Sequence, residues 1–304
     1  MRGNGSAVCR RVVGVALAAI VLAAGACSDD DGNGDAAPQV EGVSTSRPAP
    51  TIDAPEDVEP PSDADEVAET LTRVERALRS PGALPDEVPH LGWEQQQAYR
   101  VLAAHPEWVP EVLAALPADV QSIVAANETA VREIGTLGEP QPGLPDWRIE
   151  APPPPDVLIG YYREAEAASG IPWPYLAAIH LVETRMGRIR GTSTAGAQGP
   201  MQFIPSTWDA YGQGDINDNR DAILAAGRYL DDSGGPDDMD AALYAYNPSD
   251  HYVRSVQAYA GVTLASELAY RGYDPWQVYY ATTDGVRLLP EGYPAEDAVE
   301  ADLN

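Results

Sequence analysis

Between residues 65 and 271, apolar positions recur at helical spacing and are punctuated by proline, glycine and short acidic runs. Val67, Leu71, Val74 and Leu78 fall on one stripe, with Asp63 or Asp65 placed to cap its start and Ser80-Pro81-Gly82 to stop it. Shorter helices are predicted over 93–103 and 109–116, broken around His105-Pro106, and a longer one over 118–137. A proline-rich connection spans 140–155. Helices are then predicted over 157–169, closed by Gly170, and from Ile171-Pro172-Trp173-Pro174 to about Met186, with Gly187 as its C-terminal cap. Further helices fall at 221–230, 239–246, 249–260 and 263–271. Two β-prone runs within 276–289 flank Asp284-Gly285, a hairpin turn signal.

The two ends read differently. Arg2, Arg10 and Arg11 precede an apolar run over 12–26 that is too short to cross a bilayer. Ala24-Gly25-Ala26-Cys27 resembles a bacterial lipoprotein processing site, so residues 1–26 are expected to be a lipoprotein signal peptide and Cys27 the lipidated first residue. Plain secretion with cleavage nearby is the alternative. Residues 27–62 are rich in acidic residues and proline, without apolar periodicity, and are expected to be a disordered tether reaching ~30 Å. Residues 291–304 are acidic and expected to fray.

Composition narrows the partners. A net charge of −28 argues against nucleic acid, whose binding needs a basic face. All 19 positive residues are arginine. Cys9 is lost with the leader, leaving Cys27 alone, so no internal disulfide is available and the core must supply stability. Six Trp and fifteen Tyr against one Phe suit sugar stacking, and equally suit ordinary cores.

The candidate chemistry centres on Glu183. Leu176, Ile179, His180 and Glu183 are spaced i, i+3, i+4 and i+7, so the carboxyl lies on the apolar face of its helix. Burial and the negative helix end both favour its protonated form, as a general acid requires, while Arg185, Arg188 and Arg190 would oppose this on approach. Ten residues later begins Ser193-Thr-Ala-Gly-Ala-Gln-Gly-Pro-Met-Gln-Phe-Ile-Pro-Ser-Thr-Trp208, expected to be a shaped loop in which Gln202 offers a donor and an acceptor beside Phe203 and Trp208. His180 is expected to be a packed core residue. Asp215-Ile-Asn-Asp-Asn-Arg-Asp221 places carboxylates and amides at alternate positions, but Arg220 stands where an EF-hand loop needs glycine and no closing Glu follows. It reads as a polar loop with a helix cap, and no metal or cofactor is expected.

Glu183-Thr-Arg-Met-Gly187, Gly199-Pro-Met-Gln-Phe-Ile-Pro-Ser-Thr-Trp208 and Ala245-Tyr-Asn-Pro-Ser-Asp-His-Tyr252 resemble motifs of the lytic murein transglycosylases, particularly the B-type membrane-bound group and its actinobacterial lipoprotein relatives. The resemblance implies a mainly α fold. A lysozyme-like catalytic domain would occupy 150–290, with an N-terminal helical block over 63–140 and a small C-terminal β-hairpin. It implies Glu183 as the catalytic acid, then base, in cleaving the MurNAc-β-1,4-GlcNAc bond with formation of 1,6-anhydro-MurNAc. It places Ser193, Gln202, Tyr229, Tyr246, Asn247 and Tyr252 on the substrate. The implied partners are peptidoglycan glycan strands and, through the N-terminal lipid, the outer face of the cell membrane, with wall-synthesis or division proteins as unidentified recruits. A hydrolytic muramidase of the same fold and a non-catalytic wall-binding lipoprotein remain alternatives.

Overall fold

The computed structural model describes residues 54–303, so Cys27, the leader and most of the tether lie outside the described residues. The chain is mainly helical with a small antiparallel sheet, as its periodicity predicts. The first four helices are α1 (Ala64–Leu78), α2 (Val88–Ala104), α3 (Val109–Ala115) and α4 (Ala118–Gly135). Asp63 caps α1 by accepting from the Glu66 backbone N–H at 2.9 Å, which supplies one of the acceptors a helix start lacks.

A two-stranded ribbon, β1 (Arg148–Ile149) with β2 (Ile189–Arg190), brackets α5 (Pro155–Ser169) and α6 (Trp173–Thr184). Then come α7 (Pro205–Tyr211), α8 (Asn219–Asp232), α9 (Met239–Tyr246), α10 (Asp250–Ala265) and the short α11 (Tyr270–Tyr273). The hairpin forms from β3 (Val278–Thr282) and β4 (Gly285–Leu289), with Thr282 opposite Gly285, so the turn residues are Thr283-Asp284 and Gly285 already begins the return strand.

Four expectations give way. The helix expected to break between 260 and 263 runs unbroken as α10 to Ala265, because Gly261 is one tolerated glycine in an otherwise well-packed helix. Trp208 is not in a loop: Pro205 opens α7, its fixed φ suiting a first helical turn. The acidic C-terminal end does not fray, since β5 (Val299–Glu300) pairs with β4 and Ala301 N–H donates to Val286 O. At the other end, Val58 is buried within the stretch expected to be tether.

One apolar core runs through α1–α6 and α8–α11. Helix α10 is packed between α4 and α6, so the N-terminal block backs the element that carries the site. A buried polar knot completes the union. Glu75 of α1 accepts from Tyr99 Oη at 2.6 Å, Gln95 Nε2 at 3.0 Å and Asn127 Nδ2 at 3.1 Å. Tyr273 Oη donates to Asn127 Oδ1 and Trp276 Nε1 to Gln95 Oε1, tying α2, α4 and α11 together. Burial raises the Glu75 carboxyl, against these donors and Arg79.

Candidate active site

Helix α6 is apolar on every side, and all but Tyr175 of its residues are buried. Glu183 is therefore enclosed by more than the one face its spacing implies; a helix apolar all round is an interior helix. The helix ends two residues earlier than its composition predicts. Arg185 (φ 53°), Met186 (φ 60°) and Gly187 (φ 83°) are all left-handed, with Arg185 N–H donating to Leu181 O and Met186 N–H to His180 O. That i to i−6 bond is one residue wider than a Schellman bond, and with the left-handed residues it satisfies carbonyls that the last turn leaves open.

Glu183 is 1% exposed. Tyr252 Oη donates to its Oε1 at 2.8 Å, while Oε2 is buried without a hydrogen-bond partner among the described residues. Burial pushes the carboxyl up to about 8, opposed only by the Tyr252 bond. The three arginines after it are engaged elsewhere. Arg185 Nη1 donates to Leu181 O, Arg188 Nη1 pairs with Glu291, and Arg190 Nη1 donates to Asn217 O. No neighbouring carboxylate contributes to the Glu183 shift among the described residues.

The loop after β2 is fastened to the site through its backbone. Three consecutive carbonyls accept from three different side chains. Gly199 O takes Gln202 Nε2 at 2.9 Å, Pro200 O takes Thr184 Oγ1 at 2.6 Å, and Met201 O takes Tyr246 Oη at 2.6 Å. Thr184 also accepts from Gly187 N–H at 3.1 Å, so one hydroxyl joins the end of α6 to the loop beside Glu183. Gly199 has φ +74°, and a Cβ there would stand 1.9 Å from Ile216 O. Gln202 is itself left-handed (φ 49°), and its buried Oε1 has no partner. Strain of this kind in a non-glycine residue persists only where surrounding contacts hold it.

Tyr246 ends α9 and Tyr252 lies in the first turn of α10. Asn247-Pro248-Ser249 turn the chain between them, and their rings lie nearly parallel (4°) with centroids 6.4 Å apart. Asn247 is buried, and its N–H donates to Leu243 O. Tyr229 of α8 packs against Tyr246 and donates to Ala245 O at 2.6 Å. Ser193 is buried, with its Oγ accepting from Ala197 N–H at 3.0 Å. Tyr252 thus contacts Glu183 directly. Gln202 sits in the loop that Thr184 and, from the end of α9, Tyr246 fasten, whereas Tyr229 and Ser193 hold backbone of their own surroundings. Sequence reasoning missed Thr184; its signal was a hydroxyl immediately beside a buried acid.

His180 is packed against Tyr162, whose hydroxyl lies 2.7 Å from Nδ1. Burial, with the Arg190 charge adding to it, pushes the imidazole down to about 3 and keeps it neutral. In the 215–221 loop the side chains bind the loop's own backbone. Asp218 accepts from Asp221 N–H to cap α8, and Asp221 accepts from Asp215 N–H, both at 3.0 Å.

Residues 160–268 match the family described as the Transglycosylase SLT domain, a span that contains all seven of these candidate residues from Glu183 to Tyr252. Over 73 residues the chain is 38% identical to the membrane-bound lytic murein transglycosylase F of Thiobacillus denitrificans, covering 24% of this chain and 15% of that protein. No solved structure matches the chain.

Proposed function

We propose that this chain, which carries a transglycosylase SLT domain of the lytic transglycosylase family, cleaves the MurNAc-β-1,4-GlcNAc bond of peptidoglycan by intramolecular transfer, with Glu183 as the single proton donor and acceptor. The relative bears an F designation and not the B-type name that the motifs suggest, so family membership carries the reading and the subgroup does not.

The observation that carries the mechanism is the solitary state of Glu183. Its carboxyl is neutral near pH 7, one oxygen is held by Tyr252, and the other has no partner among the described residues. Ordinary glycosidases pair two carboxylates, one to protonate the leaving oxygen and one to attack or to activate water. A lone acid suffices when the substrate brings its own nucleophile. Glu183 protonates the glycosidic oxygen as the C1–O bond breaks. The resulting carboxylate then takes the proton of the muramic C6 hydroxyl, whose oxygen bonds to C1, and the product is a 1,6-anhydro sugar formed without water.

At 1% exposure the carboxyl is reached only once neighbouring side chains give way to the glycan. Gln202 Oε1, which has no partner among the described residues, is an acceptor in the loop that Thr184 joins to the end of α6. Tyr246 and Thr184 hold the loop that presents this amide. Ser193, Tyr229 and Asn247 support the sugar from the second layer. A lipid on Cys27 would hold the enzyme at the outer face of the membrane; Cys27→Ala should release it into the soluble fraction.

Mass spectrometry of products from purified peptidoglycan tests the reaction. Anhydro ends one water lighter than reducing ends are expected, and none with Glu183→Gln. Reducing ends alone would assign a hydrolase, and undiminished digestion by the variant would remove Glu183 from its role.

A further inference from the structure

Strand β1 is bonded along both of its edges. On one edge Ile149 is in register with Ile189, and Glu150 N–H donates to Arg188 O at 3.0 Å. On the other, Ile149 N–H donates to Tyr293 O at 3.1 Å and Gly292 N–H to Ile149 O at 2.9 Å, so residues 292–293 serve β1 as a second neighbour. Strand β2 runs on into the loop that carries Ser193 and Gln202. The hold of 292–293 on β1 therefore backs the strand that leads into the site.

One buried side chain links the two segments that flank β1. Arg188, just before β2, pairs through Nη1 with the exposed Glu291, just before Gly292. Nη2 of the same guanidinium donates to Asp274 O, at the end of α11, at 3.1 Å. Around this bond two polar atoms are left over. Among the described residues, Arg188 Nε is a buried donor without an acceptor, and Asp274 Oδ1 is a buried acceptor without a donor. Buried polar atoms are normally paired, and here one of each kind stands unspent on two residues already in contact. The Asp274 carboxyl is faced by Arg188, by Glu291, and by the phenols of Tyr162 on α5 and Tyr270 on α11. Burial pushes it up to about 6; Arg188 opposes this and Glu291 adds to it.

We infer that Arg188 is a two-position latch: on Glu291 it pins residues 291–293 against β1, and on the ionised Asp274 carboxylate it lets them go. In acid Asp274 is neutral, its Oδ1 needs no cation, and Glu291 keeps the arginine. Once Asp274 ionises, its enclosed charge gains more from the guanidinium than the exposed Glu291 does, whose charge water already stabilises. The direction follows from the raised value. Latching is at full strength below 3.8, the ordinary value of the group, and is lost as pH rises through about 6. The latch acts whatever reaction Glu183 performs.

Hydrogen exchange of the full chain, read by mass spectrometry at pH 5 and pH 7.5 with times scaled to the intrinsic rates, tests this. Protection in peptides covering Ile149 and Gly292 is expected to fall by about tenfold between the two pH values, while peptides of α4 keep theirs. Asp274→Asn should hold the acid level of protection at both pH values, and Glu291→Gln should show the lower level at both. Equal protection of these peptides at the two pH values, or a fall that persists in Asp274→Asn, would overturn the inference. So would an equal fall in α4, which marks global unfolding and not a local release.

Discussion

Tyr252 donates its hydroxyl to Glu183 across 2.8 Å, and this is the one bond that draws the carboxyl back from the shift its burial imposes. The phenol stabilises the charged form, so it keeps Glu183 able to lose its proton as well as to hold it. An acid that must become a base within one catalytic cycle needs both.

Tyr252→Phe should therefore raise the Glu183 pKa further and slow the step in which the carboxylate accepts the C6 proton. The alkaline limb of the pH–activity profile should move to higher pH, and kcat should fall by about ten- to a hundredfold. Stability should fall by about 1–3 kcal/mol, because a buried carboxyl oxygen loses its donor. A pH profile whose alkaline limb stays in place would contradict the assignment.

Glu183→Gln should abolish turnover and stabilise the fold, with a pH dependence whose sign is fixed. The folded carboxyl titrates at about 8 against 4.5 for its unperturbed value, so between these pH values the folded chain holds a proton that the unfolded chain has released. Stability is full below the lower value and is lost as pH rises through the upper one. The advantage of the glutamine variant should grow from pH 5 to pH 8 and reach a few kcal/mol, on the order expected for a shift of this size. Denaturant unfolding at both pH values measures it.

Thr184→Val keeps the side-chain volume but strips Pro200 O of its donor and Gly187 N–H of its acceptor. A loss of about 2–4 kcal/mol in unfolding free energy is expected from two unsatisfied buried groups. Activity should fall because the loop bearing Gln202 is no longer fastened to α6. Thr184→Ser should restore both.

Gly199→Ala places a methyl against Ile216 O in a backbone region that suits glycine. Thermal denaturation should show a markedly lower midpoint than for Gly196→Ala, where φ is also positive but the space is open.

Much of this architecture was legible from residue order. The periodic stripes placed most helices within a few residues, because Asp63 and Gly170 are local signals that act locally. Spacing also located the 215–221 cap, since an Asp three residues before a helical N–H reaches it without help from the rest of the chain. Tertiary relations were not legible. Glu75 follows Leu71 by four residues and so shares the apolar stripe, yet Tyr99, Gln95 and Asn127, which make its burial tolerable, come from two other helices. The reach of β5 back to β4 was hidden for the same reason: acidic composition speaks for solvent, while Leu288 opposite Val299 is a non-local pairing. The early end of α6 escaped because Arg185 and Met186 adopt a conformation that their residue types disfavour, and packing overrides that preference.

The seat of α10 between α4 and α6 ties the helix that carries Tyr252 to the N-terminal block. Ser255 Oγ donates to Ala130 O at 2.8 Å. Glu133 accepts from Arg132, Arg254 and His251, bonds that outweigh its partial burial and hold it well below the usual carboxylate range. His251 and Arg254 flank Tyr252 in the chain, so Glu133 of α4 holds the same first turns of α10 that carry the phenol bonded to Glu183. A fragment cut to 160–268 would keep all seven candidate residues and lose Ala130 and Glu133, the α4 partners that hold α10 in place.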